Sequence, residues 1–170
     1  CVVRFAPMFG GGKSTPHPTG EDLTLAVVLK ENIMSLALPR VLCVADEPNI
    51  LKAMTRTLHG RFDAVTALGA HAALQALEHD GPFDAVVTDM RMPGLDGIQL
   101  LTEVAQRWPR TARLLLTGMG DTPAGIAATR AGVIFKTLAK PCPADELRDA
   151  LSVAVAFAAL PNSHARQIAH

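Results

Sequence analysis

The sequence predicts an α/β fold, a parallel β-sheet with helices on both faces. Three observations carry that expectation. Between Arg40 and Leu160, short apolar runs alternate with segments of helical spacing, five times over. The runs are apolar throughout rather than alternating, as strands covered on both faces must be. And 49% of the 170 residues are hydrophobic, enough for one sizeable core.

Val41-Leu42-Cys43-Val44 is the first buried strand. Pro48 to Leu58 follows with helical spacing (Ile50, Leu51, Met54, Leu58), and Gly60 sits where such a helix ends. Phe62 to Thr66 reads as the second strand and His71 to Leu77 as the second helix. Phe83 to Val87 is the third strand. Ile98 to Trp108 is a helix stopped by Pro109, and Ala112 to Leu116 is the fourth strand. Asp121-Thr122-Pro123 is a cap with proline in the first turn, opening a helix to Ala131. Val133 to Leu138 is the fifth strand, and Pro143-Ala144-Asp145 opens a last helix to about Leu160.

Residues 1–39 differ from the rest. FGGGKSTPHPTG reads as loop or disorder, and Glu21 to Leu38 fits either a helix or a strand. Met34 is a candidate translation start. GGGKS lacks the first glycine of a phosphate loop, because Pro7 stands at that position. The expected organisation is an extension over 1–39, a domain over 40–158 and a tail over 159–170.

Lys plus Arg equals Asp plus Glu at 16 each, so charge gives no case for non-specific nucleic-acid or anionic-membrane binding. No apolar run reaches membrane-spanning length. Cys1, Cys43 and Cys142 fit neither a zinc pattern nor a disulfide framework, which points to a reducing cytoplasm. The six histidines show no ligand spacing and read as surface residues.

In a parallel α/β sheet, function gathers beyond the carboxyl ends of the strands. There the first strand ends in Ala45-Asp46-Glu47, the third in Asp89, the fourth in Thr117, and the fifth runs into Lys140-Pro141. Clustered carboxylates repel unless a cation joins them, and hard oxygen ligands suit Mg²⁺. Mg²⁺, an ammonium and a hydroxyl together suit a phosphoryl group.

The pieces VLCVADEPNIL, VVTDMRMPGLDG, LLLTG and Lys140-Pro141, in this order, resemble the receiver domains of two-component response regulators. The resemblance spans roughly Arg40 to Phe157. It implies a flavodoxin-like doubly wound sheet with strand order 2-1-3-4-5. It implies that Asp89 is the phospho-acceptor, attacking the phosphohistidine of a sensor histidine kinase or phosphotransfer protein. Asp46, Asp89 and the backbone carbonyl of Arg91 would hold Mg²⁺. Lys140 would pair with a phosphoryl oxygen, and Pro93 and Gly94 would shape the acceptor loop. Thr117 would follow the phosphoryl group and carry the signal to a face read by a downstream effector, an output domain or a second copy in a homodimer. Such a domain is cytoplasmic and no enzyme beyond its own phosphorylation and dephosphorylation.

Two positions depart from the family pattern. Ala45 stands where the family usually has an acid, which leaves the metal site one carboxylate short. Thr137 stands where the family prefers an aromatic switch residue, and Phe135 shares its side only if the strand register allows. These departures motivate the alternative of a non-phosphorylated, receiver-like interaction module.

Overall fold

A computed structural model of the chain describes residues 37–119 and 122–160. The expectations for GGGKS, Met34, most of Glu21 to Leu38, the Asp121 cap, Cys1, three of the histidines (His17, His164, His170) and the end of the tail lie outside the described residues. Within them the order is β1 (Arg40–Ala45), α1 (Pro48–Leu58), β2 (Asp63–Leu68), α2 (Ala70–His79), β3 (Ala85–Asp89), α3 (Gly97–Arg107), β4 (Ala112–Thr117), α4 (Thr122–Arg130), β5 (Lys136–Ala139) and α5 (Ala144–Ala158). The strands form one sheet in the order β2-β1-β3-β4-β5, and every pair is parallel.

The two faces of the sheet bury two separate cores. Val41, Cys43, Val87, Leu114 and Leu138 meet α1 and α5 through Leu51, Met54, Leu58 and Leu151. Leu42, Val44, Val86 and Leu115 meet α2, α3 and α4 through Leu77, Leu100, Leu101 and Ala128. That division is why Val41 to Val44, Ala85 to Val87 and Leu114 to Leu116 are apolar at consecutive positions: each residue faces one core or the other. The edge strand β2 has a neighbour on one side only, and its burial is broken at Asp63, Thr66 and Leu68.

Every strand differs by a residue or more from the sequence reading at one end or both, and three of these shifts have a local reason. β2 starts at Asp63 rather than Phe62, because the Asp63 N–H donates to the Pro39 carbonyl (2.9 Å) while Phe62 folds back on α1, donating to Leu58 (3.1 Å). β3 runs on past Val87 to Asp89, since Thr88 pairs with Val44 and Asp89 with Leu116. β5 starts at Lys136 rather than Val133, because the Arg113 guanidinium takes the Val133 carbonyl (Nε to O, 2.6 Å).

In this strand order the chain leaves β1 in opposite directions to β2 and β3. The crevice of such a sheet opens at that reversal, beyond the carboxyl ends of β1 and β3. Those ends carry Asp46 and Asp89.

Candidate functional site

Asp89 is the last residue of β3, and its side chain is only 7% exposed. A buried carboxylate is costly unless paired. Its partner is Lys140, whose Nζ lies 2.6 Å from Asp89 Oδ1 and whose side chain is 34% exposed. Backbone bonds hold both ends of the pair. The Met90 N–H donates to the Leu116 carbonyl (2.9 Å), and the Lys140 N–H donates to the Thr117 carbonyl (2.8 Å). The Lys140–Pro141 peptide is cis.

Beside the pair lies an open pocket of about 400 Å³ walled by Asp46, Met90, Arg91, Met92, Pro93 and Asp96. Asp46 is half-buried and faces this pocket, while Glu47 occupies the N-cap of α1 with Pro48 behind it. So Asp46 is not spent on capping. A larger pocket of about 580 Å³ lies along α1 and β2, and no carboxylate lines it.

The loop after Asp89 is shaped from both ends. Gly94 has φ +81°, the left-handed region that favours glycine. At the other end Asp96 caps α3. Its carboxylate accepts from the Gln99 N–H (2.8 Å), and its own N–H donates to Gln99 Oε1 (3.0 Å). Gly97 then packs directly on the Asp89 backbone: a Cβ there would overlap the Asp89 carbonyl and come within 2.8 Å of Leu115 Cδ1. Its N–H donates to the Met90 carbonyl (2.8 Å). The sequence reading missed Asp96 and Gly97. The Asp96-x-x-Gln99 spacing is a capping-box signal that could have found the first. The tight contact of Gly97 is tertiary and has no local signal.

Thr117 ends β4 and is buried, one residue beyond the Leu116 that pairs with Asp89. Thr137 is half-buried on β5 and faces α4, where its hydroxyl donates to the Gly125 carbonyl (3.3 Å). Phe135 precedes β5 and faces the other way. Its ring lies 5.5 Å from that of Phe157 on α5, within the core shared with α1. The structure therefore brings Asp46, Asp89, Arg91 and Lys140 to one rim, with Thr117 next to it. It separates Phe135 from Thr137.

The chemistry of this rim is that of hard oxygen donors beside an ammonium. Two carboxylates and a carbonyl fit a small divalent cation that keeps several of its waters. Among the described residues no three Asp, Glu, His or Cys side chains converge on one point, consistent with alanine at position 45.

The family profile described as "Response regulator receiver domain" matches residues 41–152. The chain belongs to that family. The receiver is 36% identical over 115 residues to the hydrogenase transcriptional regulatory protein HoxA of Cupriavidus necator, covering 68% of this chain and 24% of that protein. It is similar to a solved response regulator receiver domain from Clostridium thermocellum (TM-score 0.65, 33% identity, 70% of this chain and 95% of that one). It is also similar to the signal receiver domain of an HD domain-containing protein from Pseudomonas fluorescens (TM-score 0.66, 32% identity, 71% and 97%). The chain spans about a quarter of the length of the curated relatives it matches. A receiver of this family is the regulatory, phosphorelay part of a two-component response regulator.

Proposed function

We propose that Asp89 accepts a phosphoryl group from the phosphohistidine of a sensor histidine kinase or phosphotransfer protein, and that the receiver then presents an altered surface to a downstream effector or output domain. The observation that carries this reading is the Asp89–Lys140 pair at the rim of an open pocket. A nucleophile must be both held and reachable: this carboxylate is held by the Lys140 ammonium, and the residues that follow it, Met90 to Pro93, wall the open pocket.

In the transfer, an Asp89 oxygen attacks phosphorus and forms an acyl phosphate. The bond from phosphorus to the partner's imidazole nitrogen breaks, and the imidazole leaves with the electron pair. The Lys140 ammonium releases its contact with Asp89 Oδ1 and balances charge on the phosphoryl oxygens. Asp46 and the Arg91 carbonyl, with Asp89, are the residues that would hold Mg²⁺. When bound, Mg²⁺ supplies further neutralisation of the phosphoryl charge. The Thr117 hydroxyl follows the phosphoryl group. On this reading the domain catalyses only its own phosphorylation and dephosphorylation.

The receiver runs over 40–158, supported by the element span and the family match, with an extension over 1–39 and a tail over 159–170. Its place is the cytoplasm, beside its kinase. Among the described residues no helix is long and apolar enough to cross a membrane. A second copy of the chain is a further candidate partner, and no direct nucleic-acid contact is assigned to the receiver. Nothing in the fold or the relatives favours the non-phosphorylated alternative.

Incubation of the full chain with acetyl phosphate and Mg²⁺ should add one phosphoryl group, read by mass spectrometry. Asp89→Asn should take up none. No uptake by the wild type from any small donor or cognate kinase, or undiminished uptake by Asp89→Asn, would overturn the proposal.

A further inference from the structure

The larger pocket, along α1 and β2, takes one wall from a single stripe of helix. Pro48, Lys52 and Arg56 recur at four-residue spacing and so share one face of α1. The sheet contributes Thr66, exposed on an edge strand that pairs with β1 alone. Pro48 and the buried Leu51 make part of the lining apolar.

The polar lining is one-sided. Lys52, Arg56 and His59 are exposed, and among the described residues none of them forms an ion pair. No carboxylate lines the pocket. Lys and Arg only donate, so a ligand here must accept. The Thr55 hydroxyl already donates to the Leu51 carbonyl (2.9 Å). The fold accounts for part of this charge. Arg56 in the last turn and His59 after it suit the carboxyl end of a helix. Lys52 lies in mid-helix, one turn from Arg56, and like charges at that spacing repel. An anion between them turns the repulsion into a clamp, and a guanidinium offers a carboxylate two parallel hydrogen bonds.

Size narrows the class. A volume of about 580 Å³ lies within the roughly 300–1,000 Å³ of small-molecule pockets. A bare inorganic anion would leave Pro48 and Leu51 uncovered, so the ligand needs an apolar body. The pocket shares no lining residue with the one beside Asp89.

We propose that the α1–β2 pocket binds a small amphipathic anion, an aromatic or aliphatic carboxylate. Its apolar body lies on Pro48, Leu51 and Thr66, and its charge sits between Lys52 and Arg56, with His59 as a further donor at the rim. The site stands whether or not Asp89 is phosphorylated.

The probes are naphthoate, decanoate and the uncharged naphthalenemethanol, each titrated into the full chain and followed by amide NMR. Naphthoate should bind one to one, with its shift changes gathered on residues 48–59 and Thr66, and decanoate should compete with it. Naphthalenemethanol should bind about tenfold more weakly or worse, since it lacks the charge-assisted bonds. Lys52→Glu and Arg56→Glu, both at exposed positions, should each weaken naphthoate by about tenfold or more. Thr66→Trp keeps both cations, fills the pocket and should abolish binding. No saturable binding of either carboxylate, shifts gathered elsewhere, or equal binding of the alcohol would overturn the proposal. So would undiminished binding in both glutamate variants. Undiminished binding in Thr66→Trp would reduce the site to a surface charge patch and overturn it as well.

Discussion

Removing the two members of the Asp89–Lys140 pair should not cost the same. Unit charges 2.6 Å apart attract by about 6 kcal/mol at an effective dielectric of 20 and by less than about 2 kcal/mol in bulk water. With the Lys140 side chain 34% exposed, solvent screening places the pair between these limits, and desolvation offsets most of what remains. Lys140→Met leaves a carboxylate that is 7% exposed with its cation gone, and should cost about 1–3 kcal/mol. Asp89→Asn leaves an ammonium that can turn to water and an amide that still accepts from it, and should cost about 0–1 kcal/mol. In metal-free buffer the methionine variant should therefore melt roughly 3–5 °C below the asparagine variant. Urea unfolding followed by Trp108 fluorescence measures the same gap. Added Mg²⁺ should narrow it, since a cation at Asp46 and Asp89 replaces the missing ammonium. An asparagine variant as destabilised as the methionine variant, or more so, would refute the argument that burial of Asp89 decides the energetics of the rim.

Other outcomes follow from single contacts. Gly97→Ala gains helix propensity but drives a methyl group into the Asp89 carbonyl and Leu115, so it should destabilise by about 1–2 kcal/mol net in urea and slow acetyl phosphate uptake. Wild-type stability of this variant would mean that the acceptor loop yields freely. Ala45→Asp puts a carboxylate at a fully buried position, so without metal it should be less stable than the wild type, and it should bind Mg²⁺ roughly tenfold tighter in a calorimetric titration. Burial pushes the Cys43 thiol from 9.0 up to about 12, so its contribution to stability is complete below the lower value and is lost as pH rises through that window. Alkylation near about pH 8 should accordingly label Cys142 in the folded chain, slowly because burial and Glu146 hold its thiol up, and should reach Cys43 only after denaturation.

The sheet was legible because its strands lie between two cores. Val41 to Val44 and Leu114 to Leu116 must be apolar at every position when alternate residues face different helices. The buried carboxylate at the end of β3 was legible for the opposite reason. Asp89 breaks such a run at the point where a carboxylate would be stranded without Lys140. What escaped the sequence reading depends on contacts between distant segments. The true start of β5, and with it the face taken by Phe135, depends on a guanidinium from β4 that claims the Val133 carbonyl. The role of Gly97 depends on how near α3 comes to a strand end, and a glycine in a helix looks locally like a weak point rather than a contact. That Asp46 is left to the rim depends on Glu47 taking the N-cap of α1.

The two departures from the family pattern are physically independent. Ala45 ends β1 and packs into the core beneath α1 and α5, whereas Thr137 lies on β5 and faces α4 across the other side of the sheet. β3 and β4 lie between them, which at about 4.8 Å per strand separates the two positions by roughly 14 Å, beyond the range at which substitutions ordinarily couple. A weakened metal site therefore does not entail a weakened switch. Alanine at 45 removes charge from the rim, where ligand affinity and metal-free stability register it. Threonine at 137 meets the backbone of α4 at the Gly125 carbonyl, where the consequence is one of packing. Asp89 stands between them, with its own counter-ion and its own backbone anchors, and needs neither position to stay buried and paired.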